Sequence, residues 1–201
     1  MELDIGWVGG EGGEGCACAK KKKEEEGFSR ACRREGVRRV GVRRCRMIAT
    51  SRLLKELADI RRYKETDVVL IPEDGNVLLW TAYIEGPEDT PYEGGTFKLA
   101  IRVSDSYPHV APSIRFVTKV FHPNVHFTTG EICLDVLKDA WSPAWTLQST
   151  CRAIIALLAN PEADSPLNCD CGNLIRAGDL RGYRSAALMY TRLEALQKQS
   201  K

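Results

Sequence analysis

The sequence lacks the features that would place the chain in or across a membrane. No run of about 18 consecutive apolar residues occurs, so no segment is predicted to span a bilayer. The first residues, MELDIGWVGGEGGEG, are acidic and lack the basic segment and apolar core of a secretory signal. Without such a signal, we expect the eight cysteines to stay as thiols in a reducing compartment.

The chain also lacks a large excess of either charge, since its net charge is +2. Residues 1–46 carry 12 Lys/Arg and 8 Asp/Glu, whereas residues 47–201 carry 17 and 19. The larger part is therefore close to neutral, and a general nucleic-acid-binding domain would carry a basic excess instead. Direct binding of nucleic acid is not predicted.

The first 46 residues form a low-complexity extension. A Gly/Glu segment is followed by KKKKEEE and by the arginine-rich SRACRREGVRRVGVRRCR, with too few apolar residues to bury a core. We predict disorder for 1–46 and a folded domain for 47–201. A nuclear address or a contact with an anionic surface remains open. A zinc site is not expected, because the cysteines lack paired C-x-x-C spacing; they are Cys16, Cys18, Cys32 and Cys45.

Alternation of apolar and polar residues predicts four strands. Three runs have a period of two, at 77–86, 96–103 and 113–120, and a short apolar run at 67–71 precedes them. Connections rich in glycine and proline separate the runs, so we expect an antiparallel meander. The faces with the large apolar residues carry Leu78, Trp80, Ala82 and Ile84, then Phe97, Leu99, Ile101 and Val103, then Ile114, Phe116 and Thr118.

Apolar residues at helical spacing predict a helix at 48–65, another that starts after Thr146, and a last one at 183–198. Thr146 suits the N-cap of the second helix, and Pro161 ends it. The apolar stripes of the first two are Leu53, Leu57 and Ile60, and Leu147, Cys151, Ile154 and Leu158. A helix, four strands and then helices on one sheet face make an α+β fold.

An irregular stretch at 121–145 holds the most unusual chemistry. It contains FHPNVHFTTGEICLDV and four aromatic anchors, Phe121, Phe127, Trp141 and Trp145. A long ordered loop with such anchors is more often functional than idle. Its one cysteine, Cys133, is the candidate nucleophile.

Several motifs in order carry a family resemblance. The turn GPEDTPYEGG is followed by YPHVAP, by His122-Pro123-Asn124, by Cys133-Leu134-Asp135 and by the tetrapeptide WSPA. This pattern resembles the core of ubiquitin-conjugating enzymes over about residues 48–197, and it looks most similar to the peroxisomal, peroxin-4 type branch. The resemblance implies the family's α+β fold, a four-stranded meander with an N-terminal helix and C-terminal helices.

The resemblance implies that Cys133 accepts the C-terminal glycine of ubiquitin as a thioester. A thioester is already activated, so its exchange needs a strong base less than amide cleavage does. Asn124 is implied to donate to the oxyanion during transfer, a contribution of about 3 kcal/mol for such donors. The alternative is that its amide only braces the loop, and both roles are compatible.

The other residues of this stretch receive structural interpretations. The family's histidine at the position of His122 is hydrogen-bonded beneath the loop, and Pro123 fixes φ so that Asn124 is presented. His126 is interpreted as an exposed loop histidine, and Asp135 is expected to bond backbone groups of its own loop. The interval from Asn124 to Cys133 is one residue longer than is common in the family, so a bulge is expected.

The resemblance also implies surfaces for other molecules. Ser165, with Asp164 beside it, takes the place of the gate that meets the acceptor. His109, Pro143 and Ala144 correspond to ligase contacts, and Val69 lies where the peroxisomal branch holds a membrane-anchored partner on the back of the sheet. Of the other cysteines, Cys151 is interpreted as a core thiol, and a redox role for Cys169 and Cys171 is not favoured.

The implied function is that of a ubiquitin carrier, loaded by the ubiquitin-activating enzyme and discharged with a RING-type ligase, with the peroxisomal import receptor as target. No metal or organic cofactor is implied, because ATP is used by the activating enzyme, although family members can be described as nucleotide-binding. The implied location is cytoplasmic, peripheral on the cytosolic face of the peroxisomal membrane.

Three alternatives remain open at this point. The chain could be a conjugating enzyme for another ubiquitin-like modifier, or a non-catalytic binding variant of the fold, although such variants lack the cysteine. A cysteine hydrolase would need a base, and the chain has three histidines, His109, His122 and His126.

Overall fold

Four strands form one antiparallel sheet in the order β1-β2-β3-β4, as the alternating runs predict. They are β1 (Val68–Glu73), β2 (Asn76–Glu85), β3 (Thr96–Arg102) and β4 (Ser113–Phe116). The computed structural model describes residues 38–63 and 67–196, with side chains from Arg46 onward. These residues belong to one unit, which spans 35–201.

One face of the sheet forms the core. Ladder pairs set Ala82 opposite Leu99, and Leu99 opposite Phe116, and all three side chains are buried. The predicted apolar faces are therefore confirmed for β2 and β3. The last strand is shorter than predicted and ends at Phe116, because the next amides, Val117 N and Thr118 N, both donate to the single carbonyl of Lys98 instead of continuing a ladder.

Helix α1 (Arg38–Tyr63) packs against β2 with Ala49 and Leu53 fully buried. Residues 38–46 are helical, so the predicted disorder is wrong there. Extending an existing helix costs only propagation and no new nucleation, and arginine is a good helix former. The disorder predicted for 1–37, with Cys16, Cys18 and Cys32, lies outside the described residues, as does the side chain of Cys45.

Helix α2 (Leu147–Ala159) begins and ends where its sequence predicts. The Thr146 side chain accepts from Ser149 N at 3.1 Å, and Ser149 Oγ accepts from Thr146 N at 2.9 Å, which makes a complete capping box. The helix contacts β1 and β2. Its predicted stripe is confirmed, because every member is buried: Leu147, Cys151, Ile154 and Leu158.

Two further helices complete the described chain. Helix α3 (Cys169–Arg176) was not predicted, since its eight residues show no apolar period, and Asn168 caps it by accepting from Cys171 N. Helix α4 (Leu180–Tyr190) begins three residues before the predicted start and continues as a π-helical turn, Thr191–Ala195. None of the helices in the described ranges is long and apolar enough to cross a membrane.

A buried carboxylate joins α1 to the active half of the molecule. Glu56 is 5% exposed and accepts from Arg52 Nε at 2.7 Å, Tyr107 Oη at 2.6 Å and Leu147 N at 2.9 Å. Burial and the hydrogen bond to Glu56 raise the pKa of Tyr107 well above its usual value. Three donors thus satisfy one buried charge and tie α1 to the 104–112 loop and to the start of α2.

Replacing Glu56 with glutamine should destabilise the fold. The glutamine NH2 group would face the N–H of Leu147 or the donors of Arg52 and Tyr107, so at least one buried donor loses its acceptor. We expect Glu56→Gln to lower the free energy of unfolding by about 2–3 kcal/mol in guanidinium chloride titrations. The exposed Glu85→Gln should change it by less than about 0.5 kcal/mol. Equal stabilities of the two variants would contradict the assignment.

Candidate active site

Cys133 follows a short hairpin that leaves the sheet. An isolated bridge joins Val125 to Ile132, and Cys133 N donates to the carbonyl of Asn124 at 2.8 Å. The Cys133 side chain is half-buried. The candidate nucleophile therefore has a fixed backbone and an accessible sulfur atom.

The turn of this hairpin is organised by His126 and Gly130, and the expected bulge between Asn124 and Cys133 stays a prediction. His126 is half-buried rather than exposed, which corrects the sequence interpretation. Its Nδ1 accepts from Thr128 N at 3.3 Å and from Thr129 N at 3.2 Å, so the ring organises the turn. Gly130 has a φ of 72°, and a Cβ there would collide with the carbonyl oxygen of Phe116. Only glycine suits this position.

His122 lies beneath the loop, as the resemblance implies. It is 0% exposed, and its Nδ1 accepts from Asn124 N at 3.1 Å. Burial lowers the pKa of His122 to about 3. The imidazole is therefore neutral at pH 7, its lone-pair nitrogen is used by the backbone, and it is not arranged as a base for the thiol.

Asn124 is buried, and both ends of its side-chain amide bind one backbone unit. Its Nδ2 donates to the Glu162 carbonyl at 3.0 Å, and its Oδ1 accepts from Glu162 N at 2.9 Å. The side chain thus forms the equivalent of a strand pairing across 38 residues of sequence. This geometry supports the bracing role. The oxyanion role stays a prediction, and Nδ2 retains a second N–H that could serve it.

The segment that follows α2 is held at its other end by Pro123. The carbonyl of Pro123 accepts from Leu167 N at 2.8 Å and from Asn168 N at 3.1 Å. Asp164 and Ser165 lie between these attachment points, and both are exposed. The predicted gate is therefore a surface loop with both ends fixed to the stretch that precedes the nucleophile.

Lys138 is a site residue that the sequence reading missed. Its Nζ lies 3.5 Å from Cys133 Sγ, at the end of a 3-10 helix, Asp135–Leu137. Asp135 acts through its backbone carbonyl, which accepts from Lys138 N and Ala140 N. Asp135 thus bonds backbone groups of its own loop, as expected, and the bonding atom is its carbonyl oxygen. A lysine five positions after a cysteine carries no recognisable signal without this local geometry.

Aromatic side chains hold the irregular stretch against the last helix. The rings of Phe121 and Tyr190 stack at 5.7 Å, and Phe127 meets Tyr190 edge-on at 5.1 Å. Phe127 thus anchors the turn of the hairpin, and Phe121 anchors its entry. All four predicted aromatic anchors are half-buried.

The predicted ligase contacts lie on two joined loops. Trp141 Nε1 donates to the Pro108 carbonyl at 2.8 Å, and the Arg52 guanidinium donates through Nη2 to the carbonyls of Pro143 and Trp145, both at 3.3 Å. The three contact residues themselves are exposed: His109, Pro143 and Ala144. Because α1 and both loops are bonded together, they present one continuous surface.

Two other cysteines have buried thiols. Burial raises the pKa of Cys151 to about 12, and burial together with the charge of Asp170 raises that of Cys171 to about 12. Such thiols stay protonated and are poor nucleophiles. The interpretation of Cys151 as a core thiol is confirmed. Across 38–63 and 67–196, no group of three or more His, Cys, Asp or Glu side chains could hold a metal ion.

Comparisons with known proteins agree with the fold. The family model described as ubiquitin-conjugating enzyme matches residues 52–190, which is more than half of the chain. Protein PEROXIN-4 of Arabidopsis thaliana is 63% identical over 150 residues, with 74% of this chain and 96% of that protein covered. The ubiquitin-conjugating enzyme E2 pex4 of Dictyostelium discoideum is 59% identical over 144 residues, covering 71% and 97%.

A solved structure is similar over the same region. The H. polymorpha ubiquitin-conjugating enzyme Pex4p, in complex with the soluble domain of Pex22p, superposes with a TM-score of 0.70 at 38% identity. The superposition covers 73% of this chain and 98% of that chain.

Removing the Asn124 amide should loosen the site. Asn124→Ala leaves the N–H and carbonyl of Glu162 without their partners, so we expect the free energy of unfolding to fall by about 2 kcal/mol in urea titrations. Both bonds use the Glu162 backbone, so Glu162→Ala keeps them and should stay within about 0.5 kcal/mol of the parent. An Asn124→Ala variant as stable as Glu162→Ala would contradict the bracing role.

Proposed function

Because the chain belongs to the ubiquitin-conjugating enzyme family, we propose that Cys133 carries ubiquitin as a thioester and passes it on with a RING-type ligase. The observation that carries this assignment is the half-exposed Cys133 thiol on a loop fixed by Asn124. In the loading step, the Cys133 sulfur attacks the thioester carbonyl on the activating enzyme. A new C–S bond forms, and the activating enzyme's cysteine leaves with the proton.

The two histidines of the stretch that leads to Cys133 are not arranged as bases for its thiol, which supports a carrier over a hydrolase. A hydrolase must activate water, whereas a carrier must keep its thioester intact until an acceptor arrives. His122 is buried with a pKa of about 3, and His126 accepts backbone N–H groups. Neither ring is free to activate water at Cys133.

Discharge should take place at the loop that carries Asp164 and Ser165. This loop is exposed and has its ends bonded to Pro123 and Asn124. Serine offers only a hydrogen bond to an incoming nucleophile, whereas the Asp164 carboxylate offers a base or an electrostatic partner. Thiol acceptors ionise more readily than lysines, which favours a cysteine of the import receptor as the target.

Loading can be tested directly on the full chain. With the activating enzyme, ATP and ubiquitin, we expect one reductant-labile adduct on non-reducing gels. Cys133→Ser should give an adduct that resists the reductant, because an oxygen ester is not cleaved by thiols. Cys169→Ser, at an exposed cysteine, is the matched control and should load as the parent does.

The outcomes separate the alternatives. Loading only with another ubiquitin-like modifier and its own activating enzyme would replace ubiquitin as the cargo. No adduct with any modifier would support a non-catalytic binding variant. An adduct that survives in Cys133→Ala would move the nucleophile elsewhere. ATP should be needed for the step that the activating enzyme carries out and not for transfer from Cys133, since no cofactor is proposed for the chain itself.

We also propose attachment to the cytosolic face of the peroxisomal membrane through the back of the sheet. The support comes from relatives named peroxin-4 and from the complex of Pex4p with the soluble domain of Pex22p. A partner of the same kind, anchored in the membrane, would recruit this chain, none of whose helices within 38–63 and 67–196 is fit to cross a bilayer.

The back of the sheet offers an apolar edge for that partner. Val69 and Ile71 on β1 are 47% and 49% exposed, and Val69 pairs with Tyr83 on β2. On the same face, β3 instead presents Lys98 and Arg102. An exposed apolar strip on an edge strand is typical of a protein-binding surface.

A charge in this strip should weaken the contact with the partner. We expect Val69→Arg to weaken binding to the soluble domain of a Pex22p-type partner by at least about tenfold in calorimetric titrations. Val117→Arg is the matched control, since Val117 is 53% exposed but lies beyond β4 at the opposite edge. Undiminished binding by Val69→Arg would contradict the back-face proposal and leave the thioester assignment intact.

A further inference from the structure

Two tyrosine hydroxyl groups are buried next to each other at the start of the irregular stretch. Tyr92, in the turn between β2 and β3, is 1% exposed, and Tyr183, on α4, is 5% exposed. Their hydroxyl oxygens lie 3.0 Å apart, and Tyr92 Oη also donates to the Phe121 carbonyl at 2.8 Å. Both buried hydroxyl groups therefore have hydrogen-bond partners, as groups at this depth require.

The direction of these hydrogen bonds follows from the chemistry of the three groups. A carbonyl oxygen can only accept, and a phenol has one O–H to donate. Tyr92 gives its proton to Phe121, so Tyr183 must donate the hydrogen bond between the two hydroxyl groups. Burial raises the pKa of both phenols, that of Tyr183 to about 12, so both protons are present at neutral pH. The chain of donors runs from α4 through the turn to the irregular stretch.

The backbone that carries Tyr92 is fixed by the turn itself. Gly86 N donates to the Gly95 carbonyl at 2.8 Å, and Gly95 N donates to the Tyr92 carbonyl at 3.1 Å. A Cβ at Gly86 would collide with the Tyr92 carbonyl oxygen, so the two backbone segments touch there. Thr90 Oγ1 accepts from Tyr92 N at 3.2 Å. The position of the phenol is therefore set by the turn and not by the stretch that it holds.

From Tyr92 the contacts continue to the nucleophile. The ring centroids of Tyr92 and His122 are 5.9 Å apart, and His122 Nδ1 accepts from Asn124 N. The Asn124 carbonyl in turn accepts from Cys133 N. Because Phe121 and His122 are consecutive, Tyr92 contacts both residues through which the chain enters the HPN motif. A displacement of this entry would be passed on to Asn124 and Cys133.

We propose that Tyr92 and Tyr183 are positioning residues for ubiquitin transfer: their hydroxyl groups hold the entry to the irregular stretch so that Cys133 is aligned for attack. The inference rests on the proposed thioester at Cys133. Both tyrosines are buried, so they act through the backbone from Phe121 to Asn124 and not through contact with the activating enzyme. Alignment matters because a displacement of about 1 Å can lower a rate by about 10²-fold.

The test is the rate of loading by the activating enzyme, measured at several concentrations of the full chain. For Tyr92→Phe we expect kcat to fall by about tenfold, because the Phe121 carbonyl loses its donor and the thiol is misaligned. KM should stay within about twofold of the parent value, since loss of a buried hydroxyl leaves the docking surface unchanged. Tyr183→Phe should lower kcat by only about threefold, because Tyr92 can still donate to Phe121.

The double variant Tyr92→Phe/Tyr183→Phe tests the order of the chain of hydrogen bonds. Once the Tyr92 hydroxyl is missing, the Tyr183 hydroxyl has nothing to support. The double variant should therefore load at the rate of Tyr92→Phe. Independent effects would instead multiply to a loss of about thirtyfold and would contradict a single chain of hydrogen bonds.

A spectroscopic readout separates positioning from stability. In folded Tyr92→Phe we expect the amide NMR signals of Asn124 and Cys133 to shift. Ile101→Val is the control, because it removes one methylene group from a buried residue at the end of β3 that is remote from the turn, and so lowers stability alone. It should keep the kcat of the parent and leave both amide signals in place.

Each outcome bears on one claim. Parent-like kcat in both single variants, or a loss no larger than that of Ile101→Val, overturns the inference. A rise in KM at constant kcat also overturns it, because the effect would then lie in docking. If Tyr92→Phe does not fold, Tyr183→Phe decides alone by the same readouts. Failure of the parent chain to load counts against the proposed function instead.

Discussion

Backbone polar groups in the irregular stretch must find partners without a sheet or helix, and the rest of the site depends on how they do so. Buried N–H and carbonyl groups cannot be left unpaired. Here two side chains replace secondary structure: His122 accepts from Asn124 N, and Asn124 pairs with both backbone groups of Glu162. The HPN sequence therefore has a structural role that does not depend on any catalytic one.

The same constraint separates the cysteines by environment. Cys151 and Cys171 are fully buried among apolar residues, and burial keeps their thiols protonated. Cys133 follows the hairpin and stays half-exposed, while its N–H donates to the carbonyl of Asn124. A carrier thiol needs this combination of fixed backbone and reachable sulfur.

Much of the fold could be predicted from local patterns. The inward residues of β2 and β3 and the capped stripe of α2 follow from periods of two and 3.6 and from one threonine. The family motifs gave the location of the candidate site. The partners within it could not be predicted, because Asn124 meets Glu162 across 38 residues and Glu56 meets Leu147 across 91. A charged residue inside an apolar stripe has no periodic signal, so burial of Glu56 was missed.

The separation in sequence between the residues of each contact also bears on the order in which the contacts form during folding. Each strand pairs with its neighbour in sequence, so the sheet needs only short loops to close. The bonds from Asn124 to Glu162 and the stacking of Phe121 on Tyr190 join segments that are much farther apart. Closing long loops costs more entropy than closing short ones. We therefore expect the sheet and its hairpins to form before the contacts that fix the loop around Cys133.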